Sequence, residues 1–151
     1  MTDQKNVPEL YCSDFSRSLR FYTEVLGFSV RYSRQEDRFA WLDLNGAWLM
    51  IEQTVEDART LIVGNLDYPF GRGINLQILI DDVDALYTRV RMAGSRILWP
   101  IEERWYRRHQ EEVGNRQFVV MDPDGYLLRF AQDLGVRPMD DGIAMVTENV
   151  Y

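Results

Sequence analysis

The residues of this chain best equipped for chemistry are aromatic, and the chemistry they offer is stacking. Four Trp, eight Tyr and seven Phe occur among 151 residues. Rings fill cores, but they also line pockets for flat ligands. The candidates are Phe39, Trp41, Trp48, Trp99, Trp105 and Tyr106. Met50 shares strand parity with Trp48 and joins them. The means of covalent catalysis are sparse. His109 is the only histidine and Cys12 the only cysteine. Ser13, Ser16 and Ser18 have no histidine to activate them, because His109 belongs to another unit of the chain. Gly71-Arg72-Gly73 is too short to cradle a phosphate. Cys12 falls in an expected strand and reads as a small buried apolar residue.

Composition narrows the partners. Net charge is −7 and the pI is near 4.7. Such a surface repels phosphate backbones, so nucleic acid is not expected, whereas a cationic small molecule is attracted. No apolar run approaches the roughly 20 residues of a membrane span. Met1 to Asn6 is polar and lacks the apolar heart of a signal peptide. With a single cysteine there is no intrachain disulfide, and the cytoplasm is the expected compartment.

The elements that must position these residues occur twice. Apolar runs flank Asp122-Pro123-Asp124-Gly125, which predicts a β-hairpin from Arg116 to Gln132. A second hairpin is expected from Arg38 to Gln53 around Asn45-Gly46. Aligned on Gly46 and Gly125, the copies match Phe39 with Phe118, Asp43 with Asp122, Leu49 with Leu128 and Gln53 with Gln132. Before each hairpin stands a strand, then an Asp suited to cap a helix, then a closing glycine. The first copy runs through strand Val7–Cys12, Asp14, helix Phe15–Leu26, Gly27 and strand Phe28–Ser33. The second runs through strand Ile74–Ile80, Asp82, helix Val83–Ala93, Gly94 and strand Ile97–Trp99. Pro100 to Gly114 is expected to be an excursion; its alternating Glu and Arg residues around Trp105 suit a solvated, salt-bridged helix.

The chain is therefore expected to be one α+β domain of two tandem βαβββ modules. Module one spans about 7–53, a linker 54–73 with a short helix near Glu56–Leu61, and module two about 74–132. A surface tail covers 133–151. Each module has a helix on one sheet face only. Pairing the two gives a curved, partly closed eight-stranded wall around a cleft.

This pattern resembles the vicinal oxygen chelate superfamily, which includes glyoxalase I, extradiol dioxygenases, fosfomycin-resistance enzymes and bleomycin-resistance proteins. The resemblance is carried by Ser13-Asp14-Phe15-Ser16-Arg17-Ser18-Leu19-Arg20-Phe21-Tyr22 with Leu26-Gly27-Phe28, by Asp81-Asp82-Val83-Asp84-Ala85-Leu86-Tyr87, and by Asp122-Pro123-Asp124-Gly125-Tyr126. The family's metal enzymes place one ligand on each of four strands. Counted from the motifs, those positions are Val7, Met50, Asn75 and Arg129, a set that suits no divalent cation. No metal and no other cofactor is therefore expected. Glu9, Glu52 and Gln77 share parity with these positions and are expected to face the cleft. There a carboxylate could pair with Arg129, or Arg129 could grip an acidic ligand.

Within the superfamily, a missing metal set points to the bleomycin-resistance branch, as do Val7-Pro8-Glu9-Leu10, Trp105-Tyr106 leading into Gly114-Asn115-Arg116-Gln117-Phe118, and the Phe130 that follows Arg129. The resemblance implies a homodimer with drug sites in grooves between subunits. The expected function is metal-independent sequestration of a flat, cationic, bleomycin-like ligand. The expected contacts are Phe39, Trp41, Trp48, Met50, Asn75, Gln77, Trp99, Trp105, Tyr106 and Arg129, with no catalytic residue. Two alternatives stand beside it: a divergent lyase or isomerase using Glu9 or Glu52 with a weakly held metal, and a structural or regulatory dimer whose cleft is filled by side chains.

Overall fold

A computed structural model describes residues 4–55 and 59–139. Module one consists of β1 (Glu9–Cys12), α1 (Phe15–Arg20), β2 (Ser29–Arg34), β3 (Phe39–Leu44) and β4 (Ala47–Gln53). Module two consists of β5 (Asn75–Leu79), α2 (Val83–Met92), β6 (Ile97–Arg108), β7 (Glu111–Met121) and β8 (Leu127–Pro138). The strands form two four-stranded sheets, ordered β1-β4-β3-β2 and β5-β8-β7-β6. In each, the first strand runs parallel to the last and the hairpin strands run antiparallel. The α+β class and the tandem βαβββ modules are as expected. Among the described residues no helix is long and apolar enough to cross a membrane.

The repeat extends to the helix caps. Asp14 accepts from Arg17 N at 3.1 Å and Asp82 from Ala85 N at 3.0 Å. A second acceptor comes from the end of each hairpin. Gln53 Oε1 receives the N–H of Phe15 at 2.8 Å, and Gln132 Oε1 that of Val83 at 3.1 Å. These N–H groups open their helices and have no intrahelical partner, so the matched glutamines pin each helix start to its sheet. Beyond Arg20 the first helix widens into a π-helical turn, Phe21–Val25.

One face of each sheet lies under its helix, and the two covered faces merge in a single core. Leu10, Cys12, Leu42, Leu49 and Ile51 meet Tyr22 and Leu26 on one side. Phe118, Val120, Leu128 and Phe130 meet Val83, Leu86 and Val90 on the other. Cys12 is buried there, and loss of water pushes its thiol up to about 12, as befits an inert packing residue.

Several expectations are corrected. Pro100 to Gly114 is no excursion: β6 and β7 run through it and turn at His109-Gln110. Pro100 falls where the β6 register shifts on the sheet's outer strand, so its missing N–H breaks no central ladder. The alternating charges are cross-strand partners, Glu103 opposite Arg116, Arg107 opposite Glu112 and Arg108 opposite Glu111, rather than neighbours along a helix. The expected tail begins as strand, since β8 continues to Pro138, opposite Glu111; residues 140–151 lie outside the described ones. Of the short helix near Glu56–Leu61, residues 56–58 lie outside the described ones and 59–61 form no helix.

A further correction concerns the alignment of the hairpins. Leu44 and Ala47 flank a two-residue turn, whereas Met121 and Leu127 flank five residues. The strands after the glycines stay in phase, and Leu49 and Leu128 are both core. The strands before them slip by one. Phe39 stands opposite Glu52, away from the helix, while Phe118 stands opposite Phe130 inside the core.

Candidate functional site

The uncovered face of sheet one is built by alternation. Glu9 and Tyr11 on β1, Trp48, Met50 and Glu52 on β4, and Phe39, Trp41 and Asp43 on β3 all point away from α1. On β2 an irregularity between Val30 and Tyr32 brings Arg31 and Tyr32 to the same side. Four rings become contiguous. Tyr32 stacks on Trp41 at 5.6 Å and leans on Phe39 at 5.9 Å, and Trp41 meets Trp48 edge-on at 5.8 Å. Both indole N–H groups, of Trp41 and Trp48, are buried and have no acceptor among the described residues.

Arginines cover the outer ring faces. The Arg31 guanidinium sits 4.3 Å from the Trp48 ring centre and the Arg34 guanidinium 4.1 Å from that of Phe39. Each is tethered by a carboxylate, Asp43 at 3.4 Å and Asp37 at 2.8 Å. This face accepts cations on its rings, and two of its own already rest there. At its β1 edge stand Glu9 and Glu52. Burial pushes the Glu52 carboxyl up to about 7, and its hydrogen bond and charge contact with Glu9 push the same way. Two carboxyls sharing a site resist ionising together. Leu61 N donates to the Tyr11 hydroxyl at 3.0 Å, so the connection between modules passes this edge.

The uncovered face of sheet two is polar. Gln77 on β5, Arg129 on β8 and Val119 on β7 form one row that ends in Trp99 on β6. Glu102, Gln117 and Ala131 form the next. Gln117 Nε2 donates to the Tyr106 hydroxyl at 2.7 Å and faces Glu102 Oε1 at 3.5 Å. Trp99, Pro100, Glu102, Arg104 and Tyr106 border a hollow of about 410 Å³.

Between the sheets, the N-terminal segment and the start of β4 face β5 across a second hollow of about 480 Å³, lined by Pro8, Trp48, Asn75 and Gln77 among others. The expected contacts therefore fall into three groups. Phe39, Trp41, Trp48 and Met50 share the face of sheet one. Asn75 and Gln77 meet Trp48 across the hollow between the sheets, and Gln77 also stands beside Arg129. Trp99, Tyr106 and Arg129 belong to the face of sheet two. Trp105 is not brought to any of them. It is a neighbour of Tyr106 on one strand and so points to the opposite side. There it lies across Gly114, where an added Cβ would come within 2.6 Å of its ring, and Arg137 covers it at 3.9 Å. Tyr32, Arg31, Arg34, Glu102 and Gln117 complete the faces without having been expected to do so. Tyr32 carried a signal in its ring type, but the irregularity in β2 hid its side.

The resemblance places the metal positions at Val7, Met50, Asn75 and Arg129, and the strand register corrects two of them: Glu9, not Val7, stands beside Met50, and Gln77, not Asn75, stands beside Arg129. The thioether of Met50, the amide of Gln77 and the guanidinium of Arg129 supply no anionic oxygen donor for a divalent cation. Among the described residues no group of three His, Cys, Asp or Glu converges.

Comparison with known proteins agrees with this architecture. Residues 6–130 match the model of the glyoxalase/bleomycin resistance protein/dioxygenase superfamily. A bleomycin resistance protein of Geobacillus stearothermophilus is 25% identical over 140 residues, covering 86% of this chain and 97% of that one. Among solved structures, TioX from Micromonospora sp. ML1 is 26% identical, covers 85% of this chain and 97% of its own, and superposes with a TM-score of 0.67. A superfamily member from Vibrio splendidus 12B01 is 38% identical over 83% of this chain and 95% of that one, with a TM-score of 0.39. Duplicated modules, matched caps and the family pattern over 6–130 lead to one conclusion: the chain belongs to the glyoxalase/bleomycin resistance protein/dioxygenase superfamily.

Proposed function

We propose that this protein is a metal-independent small-molecule binder that sequesters a flat, cationic, drug-like ligand against the open face of sheet one, in a cleft or dimer groove. The observation that carries the reading is the contiguous four-ring cluster of Tyr32, Phe39, Trp41 and Trp48. A planar heteroaromatic ligand would stack on the rings, and its cationic part would displace Arg31 or approach Glu9 and Glu52. The relatives named bleomycin resistance proteins support bleomycin as the first ligand to try.

The test is a tryptophan-fluorescence titration with bleomycin, metal-free and copper-loaded, on protein stripped of metal. Saturable quenching near one drug per subunit is expected, with a loss of about tenfold or more in affinity for Trp41→Ala and Trp48→Ala. Trp105→Ala should leave the affinity unchanged, because that ring lies on the other side of sheet two. Absence of any change at high micromolar drug would remove bleomycin as the ligand. The paired carboxyls of Glu9 and Glu52 favour a second reading, a divergent lyase or isomerase with a weakly held metal. Stoichiometric metal in the purified protein would support it.

A further inference from the structure

The outer edge of β6 is a free edge of sheet two, since β6 pairs with β7 alone among the described strands. Its two halves differ. The first carries Pro100 and two register shifts, between Ile97 and Trp99 and between Trp99 and Glu102, devices that keep an edge from recruiting another strand. The second carries none: Glu102 to Arg108 pair without interruption with Gln117 to Glu111. Arg108 and Glu111 close a two-residue turn, so they exchange both hydrogen bonds, as does every second pair back to Glu102 and Gln117. The backbone N–H and C=O groups of Glu103, Trp105 and Arg107 therefore point outward. The Trp105 ring lies back across Gly114 and under Arg137, which leaves the edge open at its centre. Glu103, Arg104, Arg107 and Arg108 are exposed. Among the described residues the ion pairs nearby join Arg108 to Glu111, Arg116 to Asp84 and Arg137 to Glu112, and none uses Glu102, Glu103, Arg104 or Arg107.

We propose that this edge pairs with the same edge of a second copy of this chain, antiparallel, about a two-fold axis through Trp105. In that register Glu103 faces the partner subunit's Arg107, Glu102 faces the partner subunit's Arg108, and Arg104 faces the partner subunit's Tyr106. The symmetry makes each relation hold twice. Every charge then opposes its opposite or a ring. The backbone agrees with the side chains, because this register joins the outward groups of Glu103, Trp105 and Arg107 to the same outward groups on the other strand. Other registers fail. A slide of one residue sets outward groups against inward ones. A slide of two sets Arg104 against its own copy or against the partner subunit's Arg108, and a slide of four sets Glu103 or Arg107 against its own copy. The proposal goes beyond the ligand-binding reading and does not rest on it, since the edge shares no residue with the four-ring face of sheet one.

Sedimentation velocity on the full chain measures the association. Glu103→Arg leaves positions 103 and 107 both basic, and Arg107→Glu leaves both acidic. Each variant, checked for an unchanged melting transition, should self-associate about tenfold more weakly than the parent or worse, because both symmetry-related pairs turn repulsive. Mixed in equal amounts, the two variants are complementary and should regain the parent's association. Mixing cannot cure a fault inside either hairpin, so this recovery separates pairing between copies from a local structural effect. Glu102→Arg with Arg108→Glu repeats the test on the other side of the strand if a first variant fails to fold. A parent that stays monomeric to high micromolar concentration overturns the proposal and leaves the edge to a strand of another protein. Variants that associate as the parent does overturn it too, since the copies then meet elsewhere. So does a mixture that associates no better than its components.

Discussion

The two hairpin turns occupy matching places in a duplicated fold and do different work. Asn45-Gly46 is a two-residue turn with both residues at positive φ, and a Cβ on Gly46 would meet nothing within 4 Å. Among the described residues its carboxylate, Asp43, accepts only from Gly46 N within the turn and from Arg31. The 122–126 turn is a junction. Asp122 Oδ1 receives the N–H groups of Asp124 and Tyr126, and its Oδ2 the hydroxyl of Tyr22 from module one. Asp124 holds Ser13 through both backbone N–H, at 3.0 Å, and hydroxyl, at 2.5 Å. Tyr126 donates its hydroxyl to Tyr11 O at 2.9 Å, and Phe70 N donates to Asp124 O at 2.8 Å. Duplication supplied two hairpins, and only one became the clasp between modules.

Substituting the turn glycines breaks the comparison most sharply. Gly125 sits at φ +86, and an added Cβ would fall 2.4 Å from Pro69 Cβ and 2.6 Å from its Cα. Gly125→Ala should cost about 4 kcal/mol, combining backbone strain with a clash against a fixed ring. Gly46→Ala meets strain alone and should cost about 1 kcal/mol. Chemical denaturation of the two variants measures the ratio, and similar costs would mean that the second turn is not clamped.

Asp122 comes next. Asp122→Ala strands two buried N–H groups and the Tyr22 hydroxyl and should cost about 3 kcal/mol, whereas Asp122→Asn keeps an acceptor for both backbone groups and should cost about 1 kcal/mol. Burial pushes this carboxyl up to about 6, against the pull of its three hydrogen bonds. The folded chain therefore holds the proton more tightly than the unfolded one. This group's contribution to stability is greatest below about pH 4 and declines as pH rises to about 6. Denaturation midpoints across that window should show this slope in the parent protein and a flatter one in Asp122→Asn.

The smallest effect sharpens the contrast between the open faces. Glu9→Gln should bring the Glu52 midpoint down from about 7 toward the ordinary carboxylate range, with little change in stability. Carboxyl NMR against pH follows it directly; an unmoved midpoint would assign the shift to burial alone. Affinity for a cationic ligand on sheet one should rise with pH through the same window in the parent, as the second carboxylate ionises.

How much of this could be read from the sequence depended on what each residue answers to. Asp14, Asp82, Gly27 and Gly94 act locally, through caps and positive φ, and their meaning travels with their spacing. The βαβββ order followed from them. Side-chain facing was harder, because it depends on strand phase, and a single extra residue inverts it. That is why Phe39 and Phe118 looked equivalent while lying on opposite faces, and why Tyr32 was missed. Trp105 and Tyr106 were taken as one aromatic feature because the charged stretch around them resembled a helix or loop. Once it is a strand, adjacent rings must part. Gln117 gave no signal in the sequence, since nothing in an amide's neighbours along the chain shows which side chains it meets across the sheet.

The clasp at 122–126 also bears on how the protein is made. Its contacts join residues separated by 100 to 115 positions: Tyr22 to Asp122, Ser13 to Asp124 and Tyr11 to Tyr126. On a ribosome adding about 5–20 residues each second, module one emerges on the order of ten seconds before the carboxylates that fasten its first strand and helix. During that interval the end of β1 has no permanent acceptor, and the aromatic face of sheet one is already assembled from local strands. Productive folding of the first half is thus provisional until the last hairpin arrives, and the burden of keeping the nascent chain from sticking to its neighbours falls on the charges that border those rings.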